Sequence, residues 1–263
     1  MTKPVTRMPP ALAAALLLAS AAVTGHAGAA PVRDADQAER YRSCLALVET
    51  APDQAIERAT QWRGEAGGGV PARHCLALAY AKQGNYSQAA TTLAATANAA
   101  EAEADPSVAD LWGQAGNAAL LAGQPQQALG YFGSGIAASG MQPARVVPLL
   151  IDRARAAVEL HRDADARTDL ERATRLDPKS AEAWLLRATL ARRDHDLSAA
   201  ERLILQAGTL APGSADVGLE AGNIAAAQGK LDLARAAWNA VAKGAPGSEA
   251  AEAAARSLAA NPG

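Results

Sequence analysis

The sequence predicts an all-α protein that consists of repeated pairs of helices. Two observations lead to this prediction. First, 49% of the 263 residues are hydrophobic but only 3% are aromatic, and alanine, a small residue that favours helices, dominates. Second, Pro178, Pro212 and Pro246 follow one another at a constant spacing of 34 residues, and each stands two residues before a serine. A helix stop at a constant interval is typical of an array of equal helical units.

Residues 1–29 are predicted to be a secretory signal peptide rather than part of the fold. Lys3 and Arg7 give a positive start, residues 11–23 are apolar, and an Ala-Gly-Ala sequence at 27–29 suits a cleavage site. An uncleaved anchor is the alternative, although the apolar run is shorter than the roughly 20 residues that a membrane span needs. We therefore expect an exported protein without a membrane span in the mature chain, periplasmic in a bacterium.

Charge argues against nucleic acid as a partner. The chain has 25 Lys and Arg residues against 27 Asp and Glu residues, and loss of Lys3 and Arg7 with the signal peptide would change the net charge from −2 to −4. The remaining cations form no continuous run, whereas surfaces that bind nucleic acids are basic. A protein or peptide partner is the better expectation.

Repeat units cover most of the rest of the chain. Three of them, 147–180, 181–214 and 215–248, adjoin without gaps, and two more, 70–103 and 109–142, precede them. Within a unit, small residues recur at positions 8 and 20, a large apolar residue recurs at position 24, and the last three units have proline at position 32. The residues that define these columns, with two tryptophans at position 4, are Trp112, Gly116, Ala128, Phe132, Ala154, Ala166, Pro178, Trp184, Ala200, Pro212, Gly222, Ala234, Trp238 and Pro246.

This order of small, large and proline positions resembles the tetratricopeptide repeat. The resemblance covers residues 70–248 and implies a right-handed α-solenoid, a superhelix of stacked helix–turn–helix units. Helices of about a dozen residues are marginal in isolation, so each must bury one face against a neighbour. Small residues at positions 8 and 20 would let two helices approach closely. The family serves as a scaffold for many partners, so the fold alone does not specify a function.

The segments outside the five units are predicted to be helical or connecting. Residues 30–69 indicate a degenerate N-terminal helix pair that ends in a glycine-rich loop. Residues 249–263 indicate a charged, alanine-rich helix that caps the last unit, as solenoids require. Short insertions at 104–108 and 143–146 are interpreted as surface connections between units.

His161 and His195 stand close to carboxylates, as metal ligands or acid–base pairs do, but the repeat assigns them to turns. Both occupy position 15, where the other units have Gly84, Gly123 and Gly229. Glycine just after a helix commonly adopts a positive φ, and histidine is among the residues enriched there. We therefore predict turns with positive φ at these histidines and no metal site.

The two cysteines of the chain, Cys44 and Cys75, each begin a Cys-Leu-Ala-Leu sequence. Export favours a disulfide between them. Equivalent positions on neighbouring helices can lie about 8–10 Å apart, farther than a bridge tolerates, so two buried thiols are the alternative. His74 precedes Cys75, but adjacent residues of a helix point to different sides and make a poor pair of metal ligands.

The sequence shows no catalytic triad, phosphate-binding loop or paired-carboxylate site, so we expect neither an enzyme nor a cofactor. The resemblance implies instead that one face of the first helices lines a groove for a protein or peptide. The polar residues assigned to that groove are Asn117, Arg155, Glu159, Arg192, Arg193 and Asn223. The three arginines form a candidate anion-facing cluster, and each asparagine could hold a peptide backbone through its two-sided amide.

Three hypotheses for function follow from these features. The preferred one is a non-catalytic scaffold or adaptor of the cell envelope. The second is a structural module for self-association, or for assembly of an envelope machine. The third is an enzyme or an enzyme subunit, against which the missing catalytic site argues. For the groove residues themselves, the alternative is an ordinary solvated face with no fixed partner.

Overall fold

The computed structural model describes residues 35–65, 68–140 and 142–262. The predicted signal peptide, residues 1–29, lies outside these ranges. Every regular element of the described chain is an α-helix, which confirms the all-α prediction. In chain order the helices are α1 Ala35–Thr50, α2 Pro52–Gly64, α3 Gly69–Lys82, α4 Tyr86–Ala102, α5 Val108–Leu121, α6 Pro125–Ala138, α7 Pro143–Glu159, α8 Asp163–Leu176, α9 Ala181–Arg193, α10 Leu197–Leu210, α11 Ala215–Ala227, α12 Leu231–Gly244 and α13 Glu249–Ala260.

These helices form two compact units. Unit 1 contains α1 to α7 and ends at Leu160, and unit 2 contains α8 to α13 and begins at His161. The boundary falls in the turn between the two helices of the predicted repeat 147–180. Within the units, consecutive helices of a repeat pack side by side: α3 with α4, α5 with α6, α9 with α10, and α11 with α12. None of the helices in the described ranges combines the length and the apolar character of a membrane span.

The turns inside the repeats have the predicted backbone conformation. Gly84, Gly123 and Gly229 have φ of 77°, 69° and 77°, and His161 and His195 have φ of 58° and 62°. In each glycine turn, the N–H of the next residue reaches back five residues, as from Gln124 N to Ala119 O over 2.8 Å. A left-handed residue closes the helix in this way because it turns the next N–H toward the open carbonyls. The assignment of both histidines to turns is confirmed.

The serine that follows each repeated proline begins the next helix. Ser180, Ser214 and Ser248 are the N-cap residues of α9, α11 and α13, and each Oγ accepts a hydrogen bond from the backbone N–H three residues later, over 3.1–3.4 Å. Such a cap satisfies one of the N–H groups that a helix start leaves open. The proline stops one helix and the serine starts the next, which explains why the two recur together.

Position 8 is glycine in the two units whose position 24 is aromatic. A Cβ atom on Gly116 would lie 2.4 Å from Cε1 of Phe132, and one on Gly222 would lie 2.5 Å from Cδ1 of Trp238. Both rings are buried, with exposures of 0% and 2%. The ring therefore packs directly against the helix backbone, and only glycine leaves room for it. The unit 70–103 combines Ala77 with the smaller, branched Leu93 at these positions.

Replacing Gly116 by alanine is expected to lower the free energy of unfolding by about 1–3 kcal/mol, the usual cost of overpacking a core. The double variant Gly116→Ala with Phe132→Leu reproduces the alanine and leucine of the unit 70–103. It should therefore lose less than the sum of the two single changes. Urea denaturation followed by circular dichroism measures all three variants.

Gly130→Ala is the matched control for this prediction. Gly130 lies in α6, and an added Cβ would have no neighbour within 4 Å. Alanine favours a helix over glycine by up to about 1 kcal/mol, so this variant should be as stable as the parent or more stable. Equal losses at Gly116 and Gly130 would show that the ring of Phe132 does not restrict position 8.

The interpretation of the two insertions as surface connections is correct only in part. Residues 104–107 connect α4 to α5, with Ala104 and Pro106 exposed, but neither insertion lies wholly at the surface. Residues 143–146 form the first turn of α7, and Val146 is 1% exposed. In the other insertion, Asp105 and Ser107 are 9% and 4% exposed, and Asp105 Oδ1 accepts hydrogen bonds from the N–H and the hydroxyl of Ser107. Arg145 then donates to the carbonyl oxygen of Pro106 over 2.9 Å, which ties the two insertions together. Polar residues in the sequence suggested exposure to solvent, but in the structure these polar groups form hydrogen bonds with one another.

Cys44 on α1 and Cys75 on α3 are joined by a disulfide in the structure, with 6.2 Å between their Cα atoms. This separation is within the range of about 4.4–6.8 Å that disulfides tolerate. Both cysteines are 0% exposed and belong to one apolar cluster with Trp62 of α2. The bridge therefore connects the N-terminal helix pair to the first repeat inside a closed core.

Mass spectrometry is expected to find the native protein two hydrogen atoms lighter than the reduced chain. A thiol-alkylating reagent should react only after unfolding with a reductant, because neither sulfur is accessible in the folded chain. Loss of the bridge is expected to lower the free energy of unfolding by about 2–4 kcal/mol. Cys75→Ala is the control, since its mass should not change with reductant. Two thiols that react without reductant would contradict the bridge.

Candidate partner-binding face

Unit 2 uses polar residues of its first helices to hold its own helices together. Arg192 on α9 donates two hydrogen bonds to the Glu220 carboxylate on α11, from Nε to Oε1 over 2.6 Å and from Nη2 to Oε2 over 3.1 Å. Asn223 on α11 donates from Nδ2 to Glu220 Oε2 over 3.3 Å and accepts from Trp238 Nε1 on α12 over 3.1 Å. This network of four side chains joins three helices.

The burial of Glu220 makes the hydrogen bonds of this network costly to break. Its side chain is only 8% exposed. A carboxylate that is removed from water is stable only when charged or polar partners replace the lost hydration. Arg192 supplies a bidentate, charge-assisted pair of hydrogen bonds, which is the strongest arrangement available to a carboxylate. Arg192 and Asn223 are therefore part of the packing of unit 2.

The structure corrects the interpretation of the three arginines as a free anion-facing cluster. Arg155 on α7 pairs with Asp152, with 2.6 Å between Nη1 and Oδ1. Arg193 pairs with Asp163, with 3.5 Å between Nη2 and Oδ2. Since Arg192 binds Glu220, each guanidinium has a carboxylate partner inside its own unit. Asp152 stands three residues before Arg155, so this pair was visible in the sequence. The acids that pair with Arg192 and Arg193 are 28 and 30 residues away in the chain, so their positions were not.

Asn117 on α5 stands at the same repeat position as Asn223, in a different environment. Its Oδ1 atom is buried and has no hydrogen-bond partner among the described residues. The difference follows from position 24 of the two units. Trp238 offers an N–H to Asn223, whereas Phe132 has no donor to offer to Asn117. The amide oxygen of Asn117 is therefore left without a donor inside unit 1, and because the atom itself is buried, a bound molecule could reach it only after the half-buried side chain rotated.

Half-buried apolar residues share the groove positions of unit 1 with this amide. They occupy repeat positions 9, 12 and 13 of the first helices, and together with Asn117 we call them the first-helix face of unit 1: Leu78, Ala81, Leu121 and Val158. Glu159, which was also predicted for the groove, follows Val158 and is exposed. Partial desolvation raises the pKa of Glu159. The first-helix face is thus mainly apolar, with one open acceptor.

Sequence reasoning missed a polar bridge across three helices of unit 1. His74 on α3 contacts the hydroxyl of Tyr41 on α1 through Nδ1 at 2.5 Å, and Oε1 of Gln114 on α5 through Nε2 at 2.7 Å. Burial lowers the pKa of His74 and raises the pKa of Tyr41 to about 12. The partners of His74 lie 33 and 40 residues away in the chain. No local pattern around His74 could reveal them.

The described ranges offer little for metal or cofactor chemistry. No group of three or more His, Cys, Asp or Glu side chains in them is arranged to hold a metal ion. His161 and His195 lie in turns, and Cys44 and Cys75 are bonded to each other.

Comparison with known proteins identifies the fold. No family model and no curated protein matches the chain. Among solved structures, PilF of Pseudomonas aeruginosa matches with a TM-score of 0.60 at 14% identity, over 82% of this chain and 96% of that chain. PilW, a type IV pilus biogenesis factor, matches with a TM-score of 0.64 at 15% identity, over 83% and 98% of the two chains. YrrB, a tetratricopeptide-repeat protein with an unusual peptide-binding site, matches with 0.51 at 21% identity, over 78% and 98%. The chain therefore has the all-α solenoid fold of tetratricopeptide-repeat proteins.

Proposed function

We propose that the protein is a non-catalytic adaptor that binds an extended segment of a partner protein on the first-helix face of unit 1. The observation that carries this proposal is the buried amide oxygen of Asn117, which lacks a hydrogen-bond partner among the described residues. A buried acceptor without a partner costs free energy. Rotation of the half-buried Asn117 side chain toward a bound segment would let a backbone N–H of that segment remove the cost. Leu121 and Val158 would contact apolar side chains of the same segment.

Packing within unit 1 prepares this face before a partner arrives. Ala115, Gly116 and Ala118, the neighbours of Asn117 on α5, are all buried. The helix that carries the amide is therefore held firmly, and a partner would not have to order it. Binding to a preformed surface avoids part of the entropic cost of association.

We infer that this adaptor acts in the cell envelope. The predicted signal peptide supports export, and the bond between Cys44 and Cys75 suits an oxidising compartment. The likeness to PilW, a type IV pilus biogenesis factor, agrees with a role in envelope assembly.

Photocrosslinking from Leu121 tests the binding face. A crosslinking amino acid at Leu121 in the native cell should yield a discrete adduct with one partner protein. Asn117→Ala should lower the adduct yield by about tenfold, the scale of one lost hydrogen bond, without loss of stability, because it removes an unsatisfied oxygen. Asn98, exposed on α4, is the control site for the crosslinker and for an alanine variant. Equal adducts from both sites, or no effect of Asn117→Ala, would contradict the proposal.

Self-association is the second candidate, and exposed apolar residues of unit 2 favour it. Leu205 on α10 is 65% exposed, and Leu231 and Leu233 on α12 are 41% and 62% exposed. Large apolar side chains in water mark contact surfaces when they act together. Light scattering of the mature protein should then show a dimer or larger species that Leu205→Gln with Leu233→Gln converts to a monomer. A monomeric parent protein would exclude this function.

A further inference from the structure

We propose that the bridge formed by Tyr41, His74 and Gln114 is a pH-sensitive hydrogen-bonded link between α1, α3 and α5, and that this bridge opens when His74 is protonated. The proposal concerns contacts between helices within unit 1. It does not depend on which molecule the first-helix face binds.

The observed contacts fit the neutral form of His74. With the ring proton on Nε2, the tautomer that the acceptor Gln114 Oε1 favours, Nε2 donates to Gln114 and the Tyr41 hydroxyl donates to Nδ1, so both ring nitrogens are satisfied. The Tyr41 and His74 rings also stack, with 6.0 Å between their centroids. One imidazole therefore connects three helices that are far apart in sequence.

Protonation removes this match. A proton on Nδ1 turns the ring into a donor on both sides, so the Tyr41 hydroxyl can then only accept from Nδ1 and can no longer donate to it. Tyr41 is 6% exposed, and its hydroxyl has no other hydrogen bond among the described residues. Protonation of His74 therefore leaves a buried hydroxyl proton without an acceptor and places a charge where burial disfavours it.

The charged groups on the neighbouring helices do little to offset this cost. On α1, Arg40 pairs with Glu65, Arg42 with Glu39, and Glu49 with Lys82. On α2, Arg58 donates to Ser43 and Asp53 accepts from Gln83. On α4, Tyr86 and Glu101 lie at the two ends of the helix. Two further charged groups lie close to the bridge in sequence: Arg73, beside His74, and Asp110, one turn before Gln114 on α5.

The direction of the pH effect follows from the pKa of His74, which burial lowers. A histidine with a lowered pKa in the folded state binds fewer protons there than in the opened state. The bridge therefore has its full stability above about pH 6.5, the ordinary histidine pKa, and weakens as the pH falls below that value. One proton changes the opening equilibrium by at most about tenfold per pH unit.

The disulfide limits how far α1 and α3 can separate when the bridge opens. Cys44 lies three residues after Tyr41 on α1, and Cys75 directly follows His74 on α3. The bond between these cysteines keeps the two helices joined when the bridge is open. The expected event is thus a local and reversible loosening around α1 rather than loss of the N-terminal helix pair.

Hydrogen exchange of the full mature protein between pH 7.5 and pH 5.5 tests this inference. After correction for the intrinsic exchange rate, amides of α1 should exchange faster below about pH 6.5, by up to tenfold per pH unit. His74→Gln should remove this pH dependence, since glutamine does not titrate. His195→Gly, a change in an exposed turn that glycine tolerates, should retain it. Protection of α1 that is constant over this range, or a pH dependence that His74→Gln retains, would overturn the proposal.

Nitrogen-15 NMR of the unaltered protein gives a second test that needs no variant. At pH 7.5 the ring of His74 should be neutral with its proton on Nε2, and its protonation midpoint should lie below about 6.5. A midpoint at or above 6.5, or a proton on Nδ1 at pH 7.5, would overturn the proposal even if His74→Gln failed to fold.

Discussion

Replacement of Trp238 by alanine is expected to lower the free energy of unfolding by about 3–5 kcal/mol, the cost of removing a large buried ring. Trp238 is 2% exposed and belongs to an apolar cluster with Val241 of α12 and Ala250 and Ala254 of α13. The ring thus packs against α11 within the last repeat and belongs to the core that this repeat shares with α13. Urea denaturation followed by circular dichroism measures the loss.

Trp238→Phe separates the packing of this ring from its hydrogen bond. Phenylalanine retains most of the apolar volume but cannot donate to Asn223, whose Oδ1 now accepts from the indole N–H over 3.1 Å. The variant should lose about 1–3 kcal/mol, the cost of an unsatisfied buried group, and less than Trp238→Ala. It would give unit 2 the combination of asparagine and phenylalanine found at Asn117 and Phe132. A loss below about 1 kcal/mol for Trp238→Ala, the scale of ordinary surface changes, would contradict this burial.

Arg192→Ala is the second change with a large expected effect, because it leaves the Glu220 carboxylate buried without its charged partner. Breaking a buried ion pair costs about 3–5 kcal/mol, and we expect about 2–4 kcal/mol here because the Arg192 side chain is 27% exposed. The double variant Arg192→Met with Glu220→Leu should recover much of this loss, since no charge then remains unpaired. Denaturant unfolding at neutral pH measures both variants.

Arg235→Ala is the matched control for Arg192. Arg235 pairs with Asp232 within α12, but the Asp232 side chain is 96% exposed. Exposed pairs contribute about 0–1 kcal/mol, so this variant should be close to the parent in stability. Similar losses for Arg192→Ala and Arg235→Ala would mean that Glu220 is not held by its ion pair. A charge reversal at Arg192 would place two carboxylates together, and is therefore unsuited to test partner binding alone.

The repeat register predicted the fold because it depends on residues that act locally. Pro178 stops a helix, Ser180 caps the next one, and His195 adopts the positive φ of a turn. Each effect is decided within a few residues of the chain. The same register placed Trp238 at a packing position, where it is buried.

The role of the groove residues could not be predicted in this way. Asn117 and Asn223 have the same repeat position and the same chemistry, yet one amide oxygen is open and the other accepts from a tryptophan. Arg192 had the spacing of a ligand-binding residue, but Glu220, 28 residues later, binds it. Repeat spacing shows which residues occupy equivalent positions, not which side chain of a neighbouring helix reaches them.

The architecture of this protein could be predicted from its sequence: an all-α array of helix pairs, with stops, caps and turns at a period of 34 residues. Those features depend on backbone conformation and on residue size, which a short stretch of chain specifies. The partners of the polar side chains became visible in the folded chain alone, where Cys44 is joined to Cys75, His74 lies between Tyr41 and Gln114, and the amide oxygen of Asn117 has no partner among the described residues. Hydrogen bonds and ion pairs between helices depend on contacts between residues about 30–40 positions apart, because helix packing brings such residues within reach.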